Sequence, residues 1–181
     1  QRPAVPMDLW LEFLGYFLSE GSVYLQPRVK VVGGRTYRGV AHLVFISQSQ
    51  KKPAHRAKIR HCLQRLGFHF HEEKAQFRIQ SKQLATHLRQ FGKARDKHVP
   101  RELMDLPPRQ LRILFDALML GDGSADGRKF YSSSPALVGD VQELLLKLGM
   151  AGAVHPKAPG RAAWAVQVLT AGGKDYLTPL Y

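Results

Sequence analysis

The feature that most constrains this chain is a decapeptide that occurs twice. FLGYFLSEGS (residues 13–22) and FDALMLGDGS (residues 115–124) are apolar stretches that each end in an acid, a glycine and a serine. Asp122 stands 102 residues after Glu20, and with this offset Phe13 falls on Phe115, Leu18 falls on Leu120, and small residues fall on small residues. An internal repeat of this kind predicts two copies of one structural unit.

The similarity continues downstream of each decapeptide. HCLQRLGF (61–68) resembles ELLLKLGM (143–150), and each closes a predicted helix with a Leu-Gly pair. Short strands are predicted after each, around 69–73 and 76–80 in the first copy and around 153–155 and 162–169 in the second. The chain therefore reads as two α+β halves, and the second is about twenty residues shorter, at its first hairpin.

That first hairpin carries the clearest strand signal. Residues 23–32 alternate, with Val23, Leu25, Val29 and Val31 on a predicted apolar face, and Gly33-Gly34 supplies a turn into a returning strand at 35–47. The other face is basic and polar, which favours contact with DNA, although an ordinary solvated face is the alternative. The predicted DNA contacts are Tyr24, Gln26, Arg28, Lys30, Arg35, Arg38, Gln76, Arg78, Gln80 and Gln167.

Small residues mark the two apolar decapeptides as helices that pack closely together. They are Gly15, Ser19, Ala117 and Gly121. Helices that lie side by side and parallel would bring Glu20 and Asp122 together at their C-terminal ends. Gly21 and Gly123 would then turn the chain off each helix.

Two carboxylates at helix C-termini form an unfavourable arrangement, because they repel each other and lie at the negative ends of helix dipoles. A shared divalent cation would explain the pair Glu20 and Asp122, and hard oxygen ligands with retained waters suit Mg²⁺. The alternative is that both acids are solvated residues after a helix.

Composition indicates the partner. Lys and Arg number 27 against 14 Asp and Glu, a net charge of +13, which favours a polyanion such as nucleic acid. The sequence contains no run of about eighteen apolar residues, so no transmembrane span is predicted. The single cysteine, Cys62, is typical of a reducing, intracellular compartment, the cytoplasm or nucleoid, and its position in a helical pattern predicts a core residue.

The paired motifs resemble the LAGLIDADG motifs of homing endonucleases, in the dodecapeptide form typical of intein-encoded enzymes. KHVP (residues 97–100) is similar to the lysine-containing segment that precedes the second motif in such enzymes, and Lys97 stands 25 residues before Asp122. The resemblance covers nearly the whole chain, with a first half at residues 1–100 and a second, shorter half at 101–181.

The resemblance implies a fold and an activity. The fold would be two pseudo-symmetric αββαββα halves, with antiparallel sheets that form a saddle over DNA and motif helices packed at the centre. The activity would be Mg²⁺-dependent hydrolysis of double-stranded DNA that leaves short 3′ overhangs. Two or three ions would be shared between Glu20 and Asp122, with Lys97 as a catalytic lysine, in a monomer without membrane partners.

The chain also departs from the family pattern. The first acid is Glu rather than the commoner Asp, and a second lysine at the position matching Lys97 would fall near 186, beyond Tyr181. Lys174 is the nearest substitute, so one-strand nicking is an alternative to double-strand cutting. The chain has no N-terminal Cys or Ser and no C-terminal His-Asn, so we expect an endonuclease region without its splicing host, or a free-standing enzyme.

Three further expectations follow from the sequence. A catalytically silent nucleic-acid binder on the same fold, such as an RNA-splicing maturase or a DNA-binding regulator, is the alternative function. The basic helix at 55–67 is expected to leave Arg56, Lys58 and Arg60 available for phosphates. SSSP (residues 132–135) predicts a strand end that leads into a helix N-cap.

Overall fold

A computed structural model describes residues 5–157 and 163–169, and the chain forms two compact units. The motif unit comprises Gln1–Glu20 and Phe91–Tyr181, and the hairpin unit comprises Gly21–Gln90. The two halves of the predicted duplication, divided near residue 100, stay a prediction. Within the described ranges, no helix has the length and apolar character needed to cross a membrane.

The elements follow the predicted repeat. In chain order they are α1 (Met7–Glu20), β1 (Gly21–Val32), β2 (Arg35–Ser47), α2 (Pro53–Arg65), β3 (Phe70–Glu72), β4 (Gln76–Gln80), α3 (Lys82–Leu88), α4 (Pro108–Asp122), β5 (Lys129–Ser132), α5 (Pro135–Lys147), β6 (Ala151–Pro156) and β7 (Trp164–Leu169). Single 3₁₀ turns occur at Arg89–Phe91 and Arg101–Leu103. The α+β class is confirmed, and the first copy, from α1 to α3, has the complete αββαββα order of elements.

The second copy is shortened where the sequence predicted it. The hairpin strands β1 and β2 have 12 and 13 residues, whereas β5 has only 4. After α4, a single bridge between Gly123 and Phe130 stands in the place of the long hairpin. The strands β5, β7 and β6 then form an antiparallel three-stranded sheet.

The hairpin unit is a four-stranded antiparallel sheet in the order β1-β2-β4-β3. Gly33 and Gly34 have φ angles of 56° and 76°, the left-handed values that a two-residue hairpin turn needs and that glycine adopts without strain. The core of the unit consists of fully buried side chains from the sheet and helices, among them Val44, Ile46, Ile59, Cys62, Leu63, Phe77, Ile79, Ala85 and Leu88.

The outer half of the β1–β2 hairpin differs from the sequence prediction. Val29 and Val31 were expected on a covered apolar face, but they are 66% and 65% exposed. Every hairpin residue from Pro27 to Val40 is exposed, whichever face of the sheet it lies on. The reason is length, because the buried strand residues lie near the base of the hairpin and the remaining residues extend beyond them.

The motif helices α1 and α4 pack as a close parallel pair, as predicted. At their N-terminal ends, Asp8 accepts hydrogen bonds from Arg109 Nη1 at 2.6 Å and Gln110 Nε2 at 2.9 Å. Midway, a Cβ on Gly15 would lie 2.5 Å from Ala117 Cβ. At the C-terminal ends, a Cβ on Gly121 would overlap the Ser19 side chain. Only small residues at these positions allow the backbones of the two helices to approach so closely.

We expect Gly15→Ala to lower the free energy of unfolding by about 1–3 kcal/mol, because the added methyl group would also lie 2.9 Å from the Leu114 carbonyl oxygen of the neighbouring helix. Gly139→Ala is the matched control, since Gly139 is an exposed residue of α5 with open space around its Cβ position. That substitution should raise stability by roughly 0.5–1 kcal/mol. Urea denaturation of both variants measures the difference, and equal effects would contradict the close packing.

Candidate active site and nucleic-acid interface

The two repeated acids occupy equivalent places at the ends of the paired helices. Glu20 is the last residue of α1, and Asp122 is the last residue of α4. The final turns contact each other, because a Cβ on Gly121 would lie 3.0 Å from Glu20 Cγ. The parallel packing therefore places both carboxyl groups at the same end of the helix pair, as the repeat predicted.

Lys97 belongs to the same end of the pair. It is 4% exposed, and its Nζ donates a hydrogen bond to the Phe17 carbonyl oxygen of α1 at 2.6 Å. Burial lowers the pKa of Lys97 to about 8, while the carboxylates of Asp122 and Glu20 act in the opposite direction. Both acids thus act electrostatically on one buried lysine, and the three residues that the motifs predicted form one cluster. Lys174 lies outside the described residues.

A cleft of about 290 Å³ opens beside this cluster. Its lining includes Ser19, Lys97, Asp122, Tyr131 and Lys157. Lys157 is exposed, and its Nζ lies 4.8 Å from the centre of the Tyr131 ring, a distance typical of a cation–π contact. The sequence interpretation missed Lys157, because it follows the end of β6 and no motif spacing marks it.

One face of the hairpin-unit sheet gathers most of the predicted DNA contacts. In the register of the sheet, Tyr24 lies beside Leu43 and Leu43 beside Gln80, and paired residues share a face. Strand alternation then places the following residues on this face: Tyr24, Gln26, Arg28, Lys30, Arg35, Gln76, Arg78 and Gln80. Tyr37, which is 55% exposed and pairs with Lys30, joins them although the sequence interpretation omitted it.

Three of the predicted contacts need qualification. Arg38 pairs with Val29 and therefore lies on the opposite face of the hairpin. Arg78 is already engaged, because its Nε lies 3.0 Å from Glu73 Oε1. Gln76 donates a hydrogen bond to the other oxygen of the same carboxylate at 2.8 Å. Tyr24, Gln26, Arg28, Lys30 and Arg35 are exposed on the shared face.

The motif-unit sheet has a basic face of its own. Gln167 pairs with Lys129, and the same face carries Tyr131 and His155. Together with Lys157 they line a shallow groove of about 510 Å³. The sequence interpretation named only Gln167 here, although the alternation of KFYS (residues 129–132) could have identified Lys129 and Tyr131.

The basic helix α2 corrects another expectation. Arg56 was expected to be available for phosphates, but it is 4% exposed and donates to Glu72 Oε1 at 2.7 Å, to the Gln48 carbonyl at 2.6 Å and to the Glu73 carbonyl at 2.8 Å. Arg60 also pairs with Glu72, at 2.7 Å. The hydrogen bond from Arg60 first, and then that from Arg56, lower the pKa of Glu72 to about 2, although burial acts in the opposite direction. Arg56 and Arg60 therefore connect α2 to the sheet. Of the three residues expected to bind phosphates, only Lys58 is exposed and takes no part in this ion-pair network.

The donors at the helix ends suit a hard divalent cation. Among the described residues, no group of three or more His, Cys, Asp and Glu side chains could hold a metal ion. Glu20 and Asp122 supply two carboxylates, and Mg²⁺ is commonly bound through one or two carboxylates with waters and phosphate oxygens completing its shell. The residues present therefore fit Mg²⁺ bound together with a phosphate.

The fold is that of a known class of proteins. The described chain superposes on structures of the homing endonuclease I-DmoI, with a TM-score of 0.62 to its mesophilic variants at 15% identity, over 90% of this chain and 84% of that one. A complex of I-DmoI with DNA and Mn gives a TM-score of 0.61 at 15% identity, over 90% and 89% of the two chains. A complex with DNA and Ca gives 0.62 at 15%, over 90% and 83%.

Part of the sequence also matches a family model. Residues 109–178 match the family described as LAGLIDADG-like domain. This match, together with the fold shared with the homing endonuclease I-DmoI, confirms the resemblance drawn from the paired motifs. It is also 25% identical over 157 residues, 84% of its length, to an ATP-dependent Clp protease proteolytic subunit from Chlamydomonas moewusii, but spans only 15% of that protein.

The lowered pKa of Lys97 predicts a specific pH dependence of stability in metal-free protein. Because the folded pKa is about 8 and the ordinary value is 10.5, the unfolded chain binds more protons between these values, and stability should rise with pH across that window. Lys97→Met should therefore be more stable than the parent protein at pH 7, by up to about 3 kcal/mol. The difference should shrink towards pH 10.5.

Denaturation of both proteins in EDTA at several pH values measures this difference, and other titrating groups cancel in the comparison. An unchanged difference from pH 7 to pH 10 would contradict the burial of a charged lysine.

Proposed function

We propose that this chain is a site-specific homing endonuclease that hydrolyses phosphodiester bonds of double-stranded DNA with Mg²⁺ and leaves short 3′ overhangs. The observation that carries the proposal is the joint placement of Glu20, Asp122 and Lys97 at one end of the paired motif helices, beside a cleft. The likeness to I-DmoI, described in complexes with DNA and with Mn or Ca, supports a DNA substrate and a divalent ion.

The residues of the cluster divide the chemistry between them. Glu20 and Asp122 would share two or three divalent ions, which would polarise the scissile phosphate and stabilise the developing negative charge. Burial lowers the pKa of Lys97 to about 8, which makes it easier to deprotonate than an ordinary lysine, and so suits it to accept a proton from the attacking water or, when protonated, to stabilise charge. Lys157, on the cleft wall, is placed to contact a phosphate oxygen.

DNA is the proposed partner of both sheets. The exposed residues of the hairpin face, together with Lys129, Tyr131 and Gln167 of the second sheet, combine cations with side chains that can read base edges. A net charge of +13 supports binding to the phosphate backbone. Two motifs in one chain support a monomer, since one chain supplies both acids.

An association with an intein is part of the proposal. The sequence relative named as a Clp protease subunit matches this chain over a region that is only a small part of its length. A LAGLIDADG-like region within a protein of unrelated name is expected if the endonuclease segment is inserted in a host protein.

The decisive experiment is cleavage selection from a randomised duplex library in Mg²⁺, with Ca²⁺ as the control ion and sequencing of the ends produced. We expect recurrent Mg²⁺-dependent ends with short 3′ overhangs at one consensus site. Nicks confined to one strand would favour a one-sided site. Sequence-selective binding without cleavage would contradict the proposal and favour a silent binder of the maturase or regulator type.

Arg28→Ala and Lys30→Ala should weaken DNA binding and lower the slope of log K against log salt by about 1 each, because each removes one phosphate contact. Arg38→Ala removes the same charge from the same hairpin but on the opposite face, and serves as the matched control. Fluorescence anisotropy at several salt concentrations measures the slopes. If Arg38→Ala weakens binding as much as the other two, only general charge matters and the face assignment is wrong.

A further inference from the structure

The segment that carries Lys97 is fastened to helix α5 by two side chains. Ser134 Oγ donates a hydrogen bond to the Lys97 carbonyl oxygen at 2.6 Å. Asp140 Oδ2 accepts one from the Val99 amide at 2.7 Å. Both bonds are long-range contacts in the sequence, and both involve the main chain of the segment. The backbone on either side of His98 is therefore held against the first two turns of α5.

Ser134 does more than begin the helix. As the N-cap of α5 its Oγ accepts a hydrogen bond from the Leu137 amide at 3.2 Å, and the residue is 0% exposed. A cap needs only the acceptor function of the hydroxyl group. The additional donation to Lys97 uses the hydroxyl hydrogen, so one buried oxygen connects the helix start to the lysine backbone.

The side chain of Lys97 is anchored on the opposite side. Its Nζ donates to the Phe17 carbonyl oxygen at 2.6 Å and lies 5.0 Å from the centre of the Phe17 ring. Val99 is 1% exposed, and Pro100 follows with its fixed φ. Lys97 is thus held between α1, through its ammonium group, and α5, through its backbone.

We infer that Ser134 and Asp140 are positioning residues for Lys97, so that helix α5 sets the place of the lysine relative to Glu20 and Asp122. The inference rests on the proposed function. A lysine side chain has four rotatable bonds and considerable rotamer entropy, so its ammonium group is precise only if its backbone is fixed. A displacement of about 1 Å at a catalytic group can cost about 10²-fold in rate.

The central variant is Ser134→Gly, because glycine is tolerated as an N-cap but cannot donate to the Lys97 carbonyl. We expect single-turnover cleavage to fall by about 10- to 100-fold, with DNA affinity unchanged. Ser134→Thr keeps the hydroxyl group and should restore cleavage. For the second anchor, Asp140→Ala should lose activity, whereas Asp140→Asn keeps an acceptor for the Val99 amide and should retain it.

Ser81→Gly is the matched control. Ser81 caps α3 by accepting from the Leu84 amide at 3.2 Å, the same bond that Ser134 makes in α5, and it belongs to the hairpin unit. It should leave the cleavage rate unchanged. An equal loss in Ser81→Gly and Ser134→Gly would attribute the effect to helix capping and overturn the inference.

A double-variant cycle separates positioning from general stability. Ser134→Gly should cost nothing further in a Lys97→Met background, measured with enzyme in excess, because the residue it positions is gone. The same fold-loss in both backgrounds overturns the inference.

A readout without cleavage keeps the inference separate from the proposed endonuclease activity. Lysine acetylation followed by mass spectrometry should show Lys97 labelled slowly in the parent protein and several-fold faster in Ser134→Gly, with exposed Lys58 as the internal reference. Unchanged Lys97 labelling overturns the positioning role even if the protein cuts DNA. Faster labelling in a protein that cuts no DNA supports the anchor while the endonuclease proposal fails.

Discussion

Glu20→Gln and Asp122→Asn are each expected to lower the rate of DNA cleavage by at least about 10³-fold while leaving DNA affinity within a small factor of the parent value. A neutral amide binds a divalent cation poorly, and the loss of several kcal/mol of transition-state stabilisation corresponds to that factor. The substitutions keep size and shape, so the close ends of α1 and α4 should remain packed. Single-turnover cleavage in Mg²⁺ and anisotropy in Ca²⁺ measure the two quantities.

The same variants carry a second, independent signature. In EDTA the stability of each should stay within about 1 kcal/mol of the parent value, because removal of a negative charge from the negative end of a helix dipole opposes the loss of its attraction for buried Lys97. Asp116→Asn makes the same charge change on an exposed residue of α4 but breaks an ion pair with Arg112, so it should lower stability by about 0.3–0.5 kcal/mol. If either variant cleaved DNA at the parent rate, the assignment of that acid to the active site would be wrong.

Arg56→Ala is expected to lower the free energy of unfolding by about 3–5 kcal/mol, the cost of breaking a buried ion pair on one side. Its loss would remove the arginine donor from the Gln48 and Glu73 carbonyl oxygens and would leave Glu72 paired with Arg60. The guanidinium group also lies 4.7 Å from the centre of the buried Phe77 ring. Thermal unfolding should show a Tm lower by about 10 °C.

Lys58→Ala provides the comparison, because Lys58 is an exposed cation two residues further along the same helix. It should change stability by less than about 0.5 kcal/mol. If Lys58→Ala and Arg56→Ala destabilise equally, Arg56 is an ordinary surface charge and its network has no net stabilising effect.

Two of the errors in the sequence interpretation were avoidable from spacing. Arg35 and Arg38 are an odd number of residues apart, so a regular strand places them on opposite faces, as the register of β2 does. Arg56 precedes Ile59 by three residues and Leu63 by seven, which is the spacing of the buried stripe of α2. The helical period of α2 therefore predicts that Arg56 is buried, although the basic composition of the helix suggests phosphate binding.

Other features had no local signal. The exposure of Val29 and Val31 depends on how far the helices reach along the hairpin, which strand alternation does not encode. Lys157 lines the cleft together with Tyr131 of β5 because β5 and β6 pair with opposite edges of β7, which brings together residues far apart in the sequence. The hydrogen-bond partners of the Lys97 carbonyl and the Val99 amide likewise come from 37 and 41 residues away, respectively.

The sequence alone predicts the two motif helices, the small residues Gly15 and Gly121 that allow their close contact, and the acids at their ends. These are consequences of helical period and residue size, which a short window of sequence contains. The folded structure was needed to show that Lys97 is buried beside both acids, that Ser134 donates a hydrogen bond to its carbonyl oxygen, and that Arg56 connects a helix to a sheet instead of binding phosphate. Distances between residues remote in sequence arise from packing, and packing is a property of the whole folded unit.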